Sequence, residues 1–413
     1  MSHDFFNIIS REELENLLKS FSATGLKKTA IAEAFGLVLG EDIISPEDLP
    51  PANRSCMDGY AVNARDAFGA TEANPAYLEC CAELKVDEAP DFILKPGECA
   101  AIPTGGTLPE GADAVVMVEH THELGSGTVE IRKSSAPGEH TMLKGEDTAK
   151  GDTIFKAGHK IRFQDVGLLA ALGIKKITIQ QKPRVGIIST GDELVEIDSP
   201  QKVGTIRDVN SHTLRCLVSE AGAEPVNYGI VRDELKKLES TLKKAISEND
   251  LVLLSGGSSV GMRDLTVQAI ESMADSKILA HGVAISPGKP TILGQVGKKP
   301  VLGLPGQVTS VQVVMLSLVV PFIRHIMGQK DAFLTNDRPV VLAELSRNTV
   351  SKPGREDYVR IKLTLRDGDI PLAQPIYGKS GLLKTMIQAD GLMIIPADTE
   401  GFYAGEKINI WLI

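Results

Sequence analysis

Three segments of this 413-residue chain place glycine and serine where apolar runs end. STGDEL (189–194), SGGSSVGMRD (255–264) and LPGQ (304–307) follow the runs RVGIIS, DLVLLS and PVLGL. Glycine lets backbone N–H groups approach an oxyanion closely, and a following helix N-terminus adds about half a positive charge. The segments therefore predict phosphate-binding loops, although each alone could be only a tight turn. The residues assigned to them are Gly191, Asp192, Ser255, Gly256, Gly257, Ser258, Gly261, Pro305 and Gly306.

Carboxylates accompany these loops at Asp192, Glu193, Asp233 and Asp264. One or two carboxylates, together with substrate phosphate oxygens, are the usual protein-side ligands of magnesium. We therefore expect Glu193 and Asp264 to hold Mg²⁺. The alternative is that these acids only cap helices or complement helix dipoles.

A stiff turn, ISPGKP (285–290), carries Lys289. An ammonium at that point is suited to holding a tetrahedral oxyanion. The alternative is an ordinary solvated lysine.

Several other classes of protein are disfavoured by composition and motif. Neither GxGxxG nor GxxxxGK[ST] is present, which disfavours a dinucleotide-binding domain and a P-loop NTPase. A net charge of −10 disfavours a general nucleic-acid binder. Five cysteines without a CxxC pair suit neither a disulfide framework nor a zinc site, and the first residues do not resemble a secretory signal. We expect a cytoplasmic protein.

Four regions are predicted from the spacing of apolar residues. Alternating strands and helices over 183–328 predict an α/β domain with a mostly parallel sheet, and period-two strands over 329–413 predict a β-barrel. Short strands between glycines over 49–143 predict a β-rich insert. It interrupts a discontinuous N-terminal domain formed by 1–48 and 144–182.

Helices are expected at three places in the N-terminal domain. Ser10 and Glu13 have capping-box spacing at the start of the first helix. The second is predicted from Lys27 to Leu39, ended by Gly40, and the third over Gln164–Leu172.

An apolar run over Val308–Met327 is nearly long enough to span a bilayer. Its polar residues favour a buried core helix over a membrane span, with Pro321 disturbing the last turns.

Taken in order, eight motifs resemble those of MoeA proteins. They are RSCMDGYAV, IPTGGTLPEGADAVVMVE, KGEDTAKGD, STGDEL, SGGSSVGMRD, PGKP, GLPG and GREDYVR. The chain therefore resembles the molybdopterin molybdenumtransferases, a family that includes the E domain of gephyrin. The resemblance implies a four-domain homodimer that inserts molybdate into adenylated molybdopterin with Mg²⁺ and releases AMP. It also implies a possible contact with the molybdopterin adenylyltransferase.

The resemblance also assigns residues. Asp58 and Thr104 match positions that the second subunit offers across the active-site cleft, and Asp147, Glu193, Asp233 and Asp264 match the family's functional acids. Lys289, Ser310 and Ser380 match its molybdate pocket. Arg355 and Arg360 both fit the pocket arginine, so that choice stays open. Gly282 and Ser286 stand where the family commonly has lysines, which leaves His281 as the nearby ionisable group.

Two other functions stay open at this point. An adenylyltransferase for molybdopterin would resemble the α/β domain alone, and the other domains argue against it. A scaffold that has lost insertion activity is favoured by the absent lysines and opposed by the acids.

Overall fold

A computed structural model describes residues 8–200, 202–256, 260–334 and 339–413, without the side chains of 260–264. The first helix, α1 (Arg11–Lys19), confirms the predicted capping box. Glu13 N donates to Ser10 Oγ at 3.1 Å, and Ser10 N donates to Glu13 Oε2 at 2.7 Å. Leu14 and Leu18 pack into the main core of the α/β domain. The segment after α1 forms β1 (Leu26–Ala30), a 3-10 turn (Ile31–Glu33) and β2 (Ile43–Ile44).

The insert is β-rich, as predicted. Its strands are β3 (Arg54–Ser55), β4 (Gly59–Val62), β5 (Ala76–Glu83), β6 (Glu98–Ile102), β7 (Ala114–Met117), β8 (Thr121–Glu123), β9 (Thr128–Ile131) and β10 (Thr141–Met142). The main sheet has the order β7-β4-β6-β5-β9-β8, and Tyr60, Val116 and Ile131 lie in its core. The chain enters the insert through β3 and leaves it through β10, and these two strands pair antiparallel.

The chain then returns to the N-terminal domain through β11 (Thr153–Phe155), α2 (Phe163–Ala171) and β12 (Lys176–Gln180). Helix α2 confirms the prediction over Gln164–Leu172 to within a residue. The predicted helix over Lys27–Leu39 is wrong. Its first residues form β1, in which Lys27 lies opposite Ile179 of β12. Pairing with a strand about 150 residues away overrides the local helical preference.

A buried carboxylate fixes the start of α2. Asp165 is 2% exposed. Its carboxylate accepts from the Arg162 backbone N–H at 2.8 Å and the Arg162 guanidinium at 2.9 Å, and it lies 2.6 Å from His159 Nε2. Burial by itself would raise the pKa of Asp165, but the hydrogen bonds from Arg162 and His159 outweigh it and lower the pKa to about 2.

Replacing Asp165 with asparagine is expected to lower the free energy of unfolding by about 1–2 kcal/mol at pH 7. The effect is no larger because the Arg162 side chain is half exposed, so that solvent screens its attraction to Asp165. A depressed folded-state pKa means that this stabilisation is complete above the ordinary pKa of 3.8 and is lost as pH falls towards 2. Urea unfolding at pH 7 and pH 3 measures it, with Asp91→Asn as an exposed control. Equal stability of Asp165→Asn and the parent at pH 7 would contradict this account.

The strands of the α/β domain are β13 (Arg184–Thr190), β14 (Leu194–Val195), β15 (Ile206–Arg207), β16 (Glu224–Val231), β17 (Leu251–Gly256), β18 (Ser276–His281), β19 (Ile285–Ser286), β20 (Ile292–Val296) and β21 (Lys299–Leu304). Six of them form one sheet of order β16-β13-β17-β21-β20-β18. The first four strands in this order are parallel and β20 runs antiparallel to both neighbours, which confirms the prediction of a mostly parallel sheet. The helices are α3 (Asn210–Glu220), α4 (Leu235–Glu248), α5 (Val260–Glu271), α6 (Val308–Val314) and α7 (Val320–Ile326).

Helices α6 and α7 are joined by a π-helical segment, Met315–Val319, into one continuous helix. The helix is long and apolar enough to cross a membrane, but 89% of its most apolar window is buried inside the protein. It is therefore the predicted core helix. Pro321 does not disturb the last turns, contrary to expectation. The wider π turns lie directly before it, where a proline ring would otherwise clash with the preceding carbonyls.

The last region is a closed five-stranded barrel, as predicted. Its elements are β22 (Val340–Leu345), β23 (Thr349–Val350), β24 (Glu356–Arg366), β25 (Asp369–Ile376), α8 (Lys384–Ile387), β26 (Gly391–Ile395), β27 (Gly401–Phe402) and β28 (Lys407–Leu412). The barrel strands follow the order β24-β25-β22-β28-β26, and β26 pairs with β24 to close the barrel. Strand β19 of the α/β domain also pairs with β24 and so connects the two domains.

Candidate active site

Two adjoining cavities lie beyond the carboxyl ends of β13, β17 and β21. The larger has a volume of about 300 Å³ and the smaller about 170 Å³, and both are bordered by Gly256, Gly306 and Gln307. Crevices at this edge are the usual ligand sites of open α/β sheets. We call the two cavities together the cleft. The larger cavity is also bordered by Thr190, Glu193, Asp208, Asn210, Ser255 and Gly381. The smaller cavity is also bordered by Thr266, Pro290, Pro305 and Ser310.

Two glycines allow the strand ends to come close at the cleft. Gly256 has φ 154°, and a Cβ built there would lie 2.0 Å from the Thr190 carbonyl oxygen. Gly191 has φ 153°, and its Cβ would lie 2.7 Å from the Glu193 carboxylate. No other residue fits at Gly256 without moving a strand. A side chain at Gly191 would meet only the end of the Glu193 side chain, but it would have to adopt a backbone conformation that favours glycine.

Asn210, the first residue of α3, connects two of the cleft loops, and the sequence analysis missed it. Its Nδ2 donates to Ser255 Oγ and to the Gly306 carbonyl oxygen, both at 2.9 Å. Nearby, buried Asp208 accepts from the Ser211 backbone N–H at 3.0 Å and fixes the start of α3. The available signal was DVN directly before an amphipathic stretch, which is typical of a helix start.

Three carboxylates lie together at the β13 side of the cleft. Asp192 Oδ1 accepts from the Asp233 backbone N–H at 3.2 Å, and the Asp192 carbonyl accepts from the Arg232 guanidinium. Burial raises the pKa of Asp233, and the negative charges of Asp192 and Glu193 raise it further. This mutual repulsion indicates a place where a cation would be stabilised. Within the described side chains, no three are already arranged as metal ligands.

Parts of the predicted site cannot be placed. Gly257 and Ser258 lie outside the described residues, and only the backbone of Gly261 and Asp264 is described, within α5.

The turn that carries Lys289 is fixed at the other side of the cleft. Gly282 N donates to Thr291 O at 2.9 Å, and Val283 N donates to Lys289 O at 2.9 Å. Thr291 Oγ1 donates to Gly288 O at 2.8 Å. Lys289 is exposed, and the next residue, Pro290, borders the smaller cavity. The backbone of this turn is therefore well ordered by its own hydrogen bonds beside the cavity.

A barrel loop reaches the cleft. The Thr309 backbone N–H, in the first turn of α6, donates to Ser380 O at 3.0 Å, and Gly381 borders the larger cavity. Ser310 borders the smaller one. The two predicted serines therefore lie on facing elements.

The two candidate arginines differ in their partners. Arg355 Nε lies 3.0 Å from Asp357 Oδ1, so its charge is paired. Arg360 is only 9% exposed and donates to Gly378 O at 3.2 Å and Thr385 Oγ1 at 3.3 Å. It forms no ion pair with a described carboxylate, and burial lowers the pKa of its guanidinium. Arg360 is thus a buried cation beside the loop that carries Ser380.

The insert carries its own polar pair. Asp58 Oδ1 accepts from the Thr104 backbone N–H at 2.7 Å and from Thr104 Oγ1 at 2.9 Å, and these bonds hold the pKa of Asp58 below its ordinary value. Both residues are exposed, as is Asp147, whose backbone N–H donates to Leu49 O at 3.0 Å. Within the described part of the chain, no hydrogen bond or ion pair joins these three residues to the cleft.

Comparison with known proteins agrees with this architecture. Residues 9–173 match the MoeA N-terminal region (domains I and II), 186–325 a probable molybdopterin binding domain, and 343–413 the MoeA C-terminal region (domain IV). The chain belongs to the MoeA family of molybdopterin molybdenumtransferases.

Individual relatives span nearly the whole chain. A putative molybdopterin biosynthesis protein of Methanocaldococcus jannaschii is 37% identical over 94% of this chain and 92% of its own. Molybdopterin molybdenumtransferase 2 of Mycobacterium tuberculosis is 34% identical over 92% and 93%. The crystal structure of a molybdopterin biosynthesis MoeA protein from Pyrococcus horikoshii is 36% identical, with a TM-score of 0.80 over 98% of this chain and 99% of that one.

Proposed function

We propose that this protein inserts molybdate into adenylated molybdopterin in the cytoplasm and releases AMP, in a magnesium-dependent reaction. The observation that carries the proposal is the cleft, in which glycine-walled loops lie beside three carboxylates. Such loops suit phosphate groups, and the carboxylates suit the cation that accompanies them. Membership of the molybdopterin molybdenumtransferases supports the substrate class.

The larger cavity is the place for the organic part of the substrate. Gly191, Ser255, Gly256 and Gly306 border or adjoin it, and their backbones would contact the phosphates. The side chains described there contribute positioning and charge, since no Ser–His or Cys–His pair is evident among them.

A magnesium ion would bind at the acid cluster, because Asp192, Glu193 and Asp233 bring negative charge together there and the buried Asp233 Oδ1 accepts no hydrogen bond from a described residue. Glu193 would hold it, together with Asp264, whose side chain lies outside the described residues. Bound there, the ion would supply charge neutralisation to the phosphate oxygens of the substrate.

Molybdate would bind at the smaller cavity, between the Lys289 turn and the first turn of α6, to which the barrel loop is hydrogen-bonded. Ser310 and Ser380 would donate to its oxygens, and Lys289 and one arginine would balance its charge. Gly282 and Ser286 provide no side-chain cation there, so the arginine carries more of the attraction than in relatives with extra lysines.

The insert contributes to the reaction through a second subunit in this proposal. Asp58 and Thr104 form no hydrogen bond or ion pair with the cleft of their own chain in the described structure, and an isologous dimer would bring them to the partner's cleft. The molybdopterin adenylyltransferase would be the partner that supplies the adenylated substrate.

Reconstitution tests the proposal directly. The purified protein is given adenylated molybdopterin, Mg²⁺ and molybdate, and AMP release is followed together with activation of a molybdenum apoenzyme. AMP release coupled to activation supports insertion. Consumption of ATP with molybdopterin alone would identify an adenylyltransferase instead.

Changing Glu193 to glutamine keeps the shape of the side chain and removes its charge. We expect the Mg²⁺ concentration for half-maximal AMP release to rise about ten- to a hundredfold, because one electrostatic group is lost from the cation site. Glu196→Gln, an exposed change three residues further along, is the matched control. Unchanged magnesium dependence in Glu193→Gln would leave Glu193 as a residue that only supports the loop.

A further inference from the structure

Asn210 has an unsatisfied atom beside the cleft. Both of the side-chain hydrogen bonds that Asn210 forms with described residues are donated by Nδ2, to Ser255 Oγ and Gly306 O. Its Oδ1 is buried and accepts no hydrogen bond from any described residue. Buried amide oxygens almost always have a donor, so an unpaired one needs an explanation.

The orientation of this amide is fixed by its surroundings. The Gly306 carbonyl can only accept, so the atom of Asn210 that faces it must be the NH₂ group. Exchanging the amide oxygen and nitrogen would bring two acceptors together. The remaining amide atom is therefore an acceptor, and Asn210 is one of the residues that border the larger cavity.

We infer that Asn210 is a binding residue whose Oδ1 accepts a hydrogen bond from the organic part of the substrate. This inference rests on the proposed function. The ligand group is an N–H or O–H donor, which excludes the bare oxygens of phosphate and molybdate. Two parts of an adenylated pterin carry such donors: the amino-pyrimidinone edge of the pterin, and the adenosine.

The same side chain positions the two loops. Since Nδ2 bridges Ser255 at the end of β17 and Gly306 after β21, a ligand that binds Oδ1 is held in register with both phosphate loops. Asn210 thus couples recognition of the ring to the position of the phosphates, which a residue on either loop alone could not do.

The test compares Asn210→Ala with Asn210→Leu, which keeps the volume of the side chain without its polar atoms. His212→Ala, two residues along on the exposed side of α3, is the control. Dissociation constants are measured for AMP and for metal-free molybdopterin, and the half-maximal molybdate concentration is measured in the insertion assay. Thermal denaturation verifies that each variant folds.

Both Asn210 variants are expected to weaken binding of one organic probe about tenfold, the loss typical of one buried hydrogen bond. The half-maximal molybdate concentration should rise less than the dissociation constant of that probe, because molybdate has no donor for Oδ1 and is affected only by the loss of the Nδ2 bridge to Gly306. The probe that loses affinity identifies whether the pterin or the adenosine supplies the donor.

Two results would overturn the inference. Equal loss for AMP, molybdopterin and molybdate would show that Asn210 only positions the loops, and no loss for either organic probe would show that Oδ1 has no ligand. If the parent protein binds neither probe, the proposed function itself fails, which is a separate result.

Discussion

Arg360→Gln is expected to raise the molybdate concentration for half-maximal insertion about a hundredfold. Arg360 is buried, has only neutral partners among the described residues and lies beside the loop of Ser380. A buried cation that lacks a carboxylate is stabilised when a substrate anion binds, and removing one member of such a pair commonly costs about 2–5 kcal/mol. Molybdate titration of the insertion reaction measures the effect.

Arg355→Gln is the matched comparison. Its guanidinium is already paired with Asp357, so its loss should act mainly on stability, with less than about a threefold change in the molybdate requirement. Arg360→Lys keeps the charge but not the planar donor group, and should lie between Arg360→Gln and the parent. A larger effect for Arg355→Gln than for Arg360→Gln would reverse the assignment of the pocket arginine.

Mixing Asp58→Ala subunits with Glu193→Ala subunits is expected to restore activity that both homodimers lack. If the insert of one subunit completes the cleft of the other, each heterodimer contains one intact site and one doubly damaged site. Verified heterodimers should then have roughly half of the parental activity per dimer, measured as AMP release, while each homodimer retains about 1% or less, the loss typical of a catalytic electrostatic group.

The control for this experiment is a heterodimer of Asp58→Ala and Thr104→Ala. Both changes lie in the insert, on residues joined by hydrogen bonds at 2.7 and 2.9 Å. Each cleft then faces one damaged insert, so no recovery is expected. Recovery in this control, or none in the first heterodimer, would contradict shared active sites.

Regions with strong periodicity were predictable from the sequence. In the α/β domain, apolar strands alternate with helices over short distances, and in the barrel period-two strands are separated by turns, so local pattern and tertiary structure agree. The segment 27–39 was not predictable in this way. Leu26–Ala30 is a strand only because β12, far along the chain, lies beside it.

The residues of the candidate site likewise fall into two groups, those that the sequence pattern indicates and those that only the fold reveals. Gly191 and Gly256 were recognisable in the sequence because each lies where an apolar run ends, a position at which glycine is typical of a phosphate-binding loop. Asn210 was overlooked because an asparagine at a helix start is commonplace, and its importance depends on Ser255 and Gly306 arriving from two other strands. Likewise, the sequence could not choose between Arg355 and Arg360, since only the fold shows which one a carboxylate neutralises.

The antiparallel pairing of β3 with β10 has a consequence for how this protein can change. Because these strands are neighbours, the two ends of the insert emerge roughly 5 Å apart, the spacing of paired strands. A short reverse turn could close the gap if the insert were deleted, and an unrelated domain with adjacent termini could replace it. Insertions or deletions within the insert could therefore change its length, and with it its reach towards another molecule, while the domain that it interrupts keeps its fold.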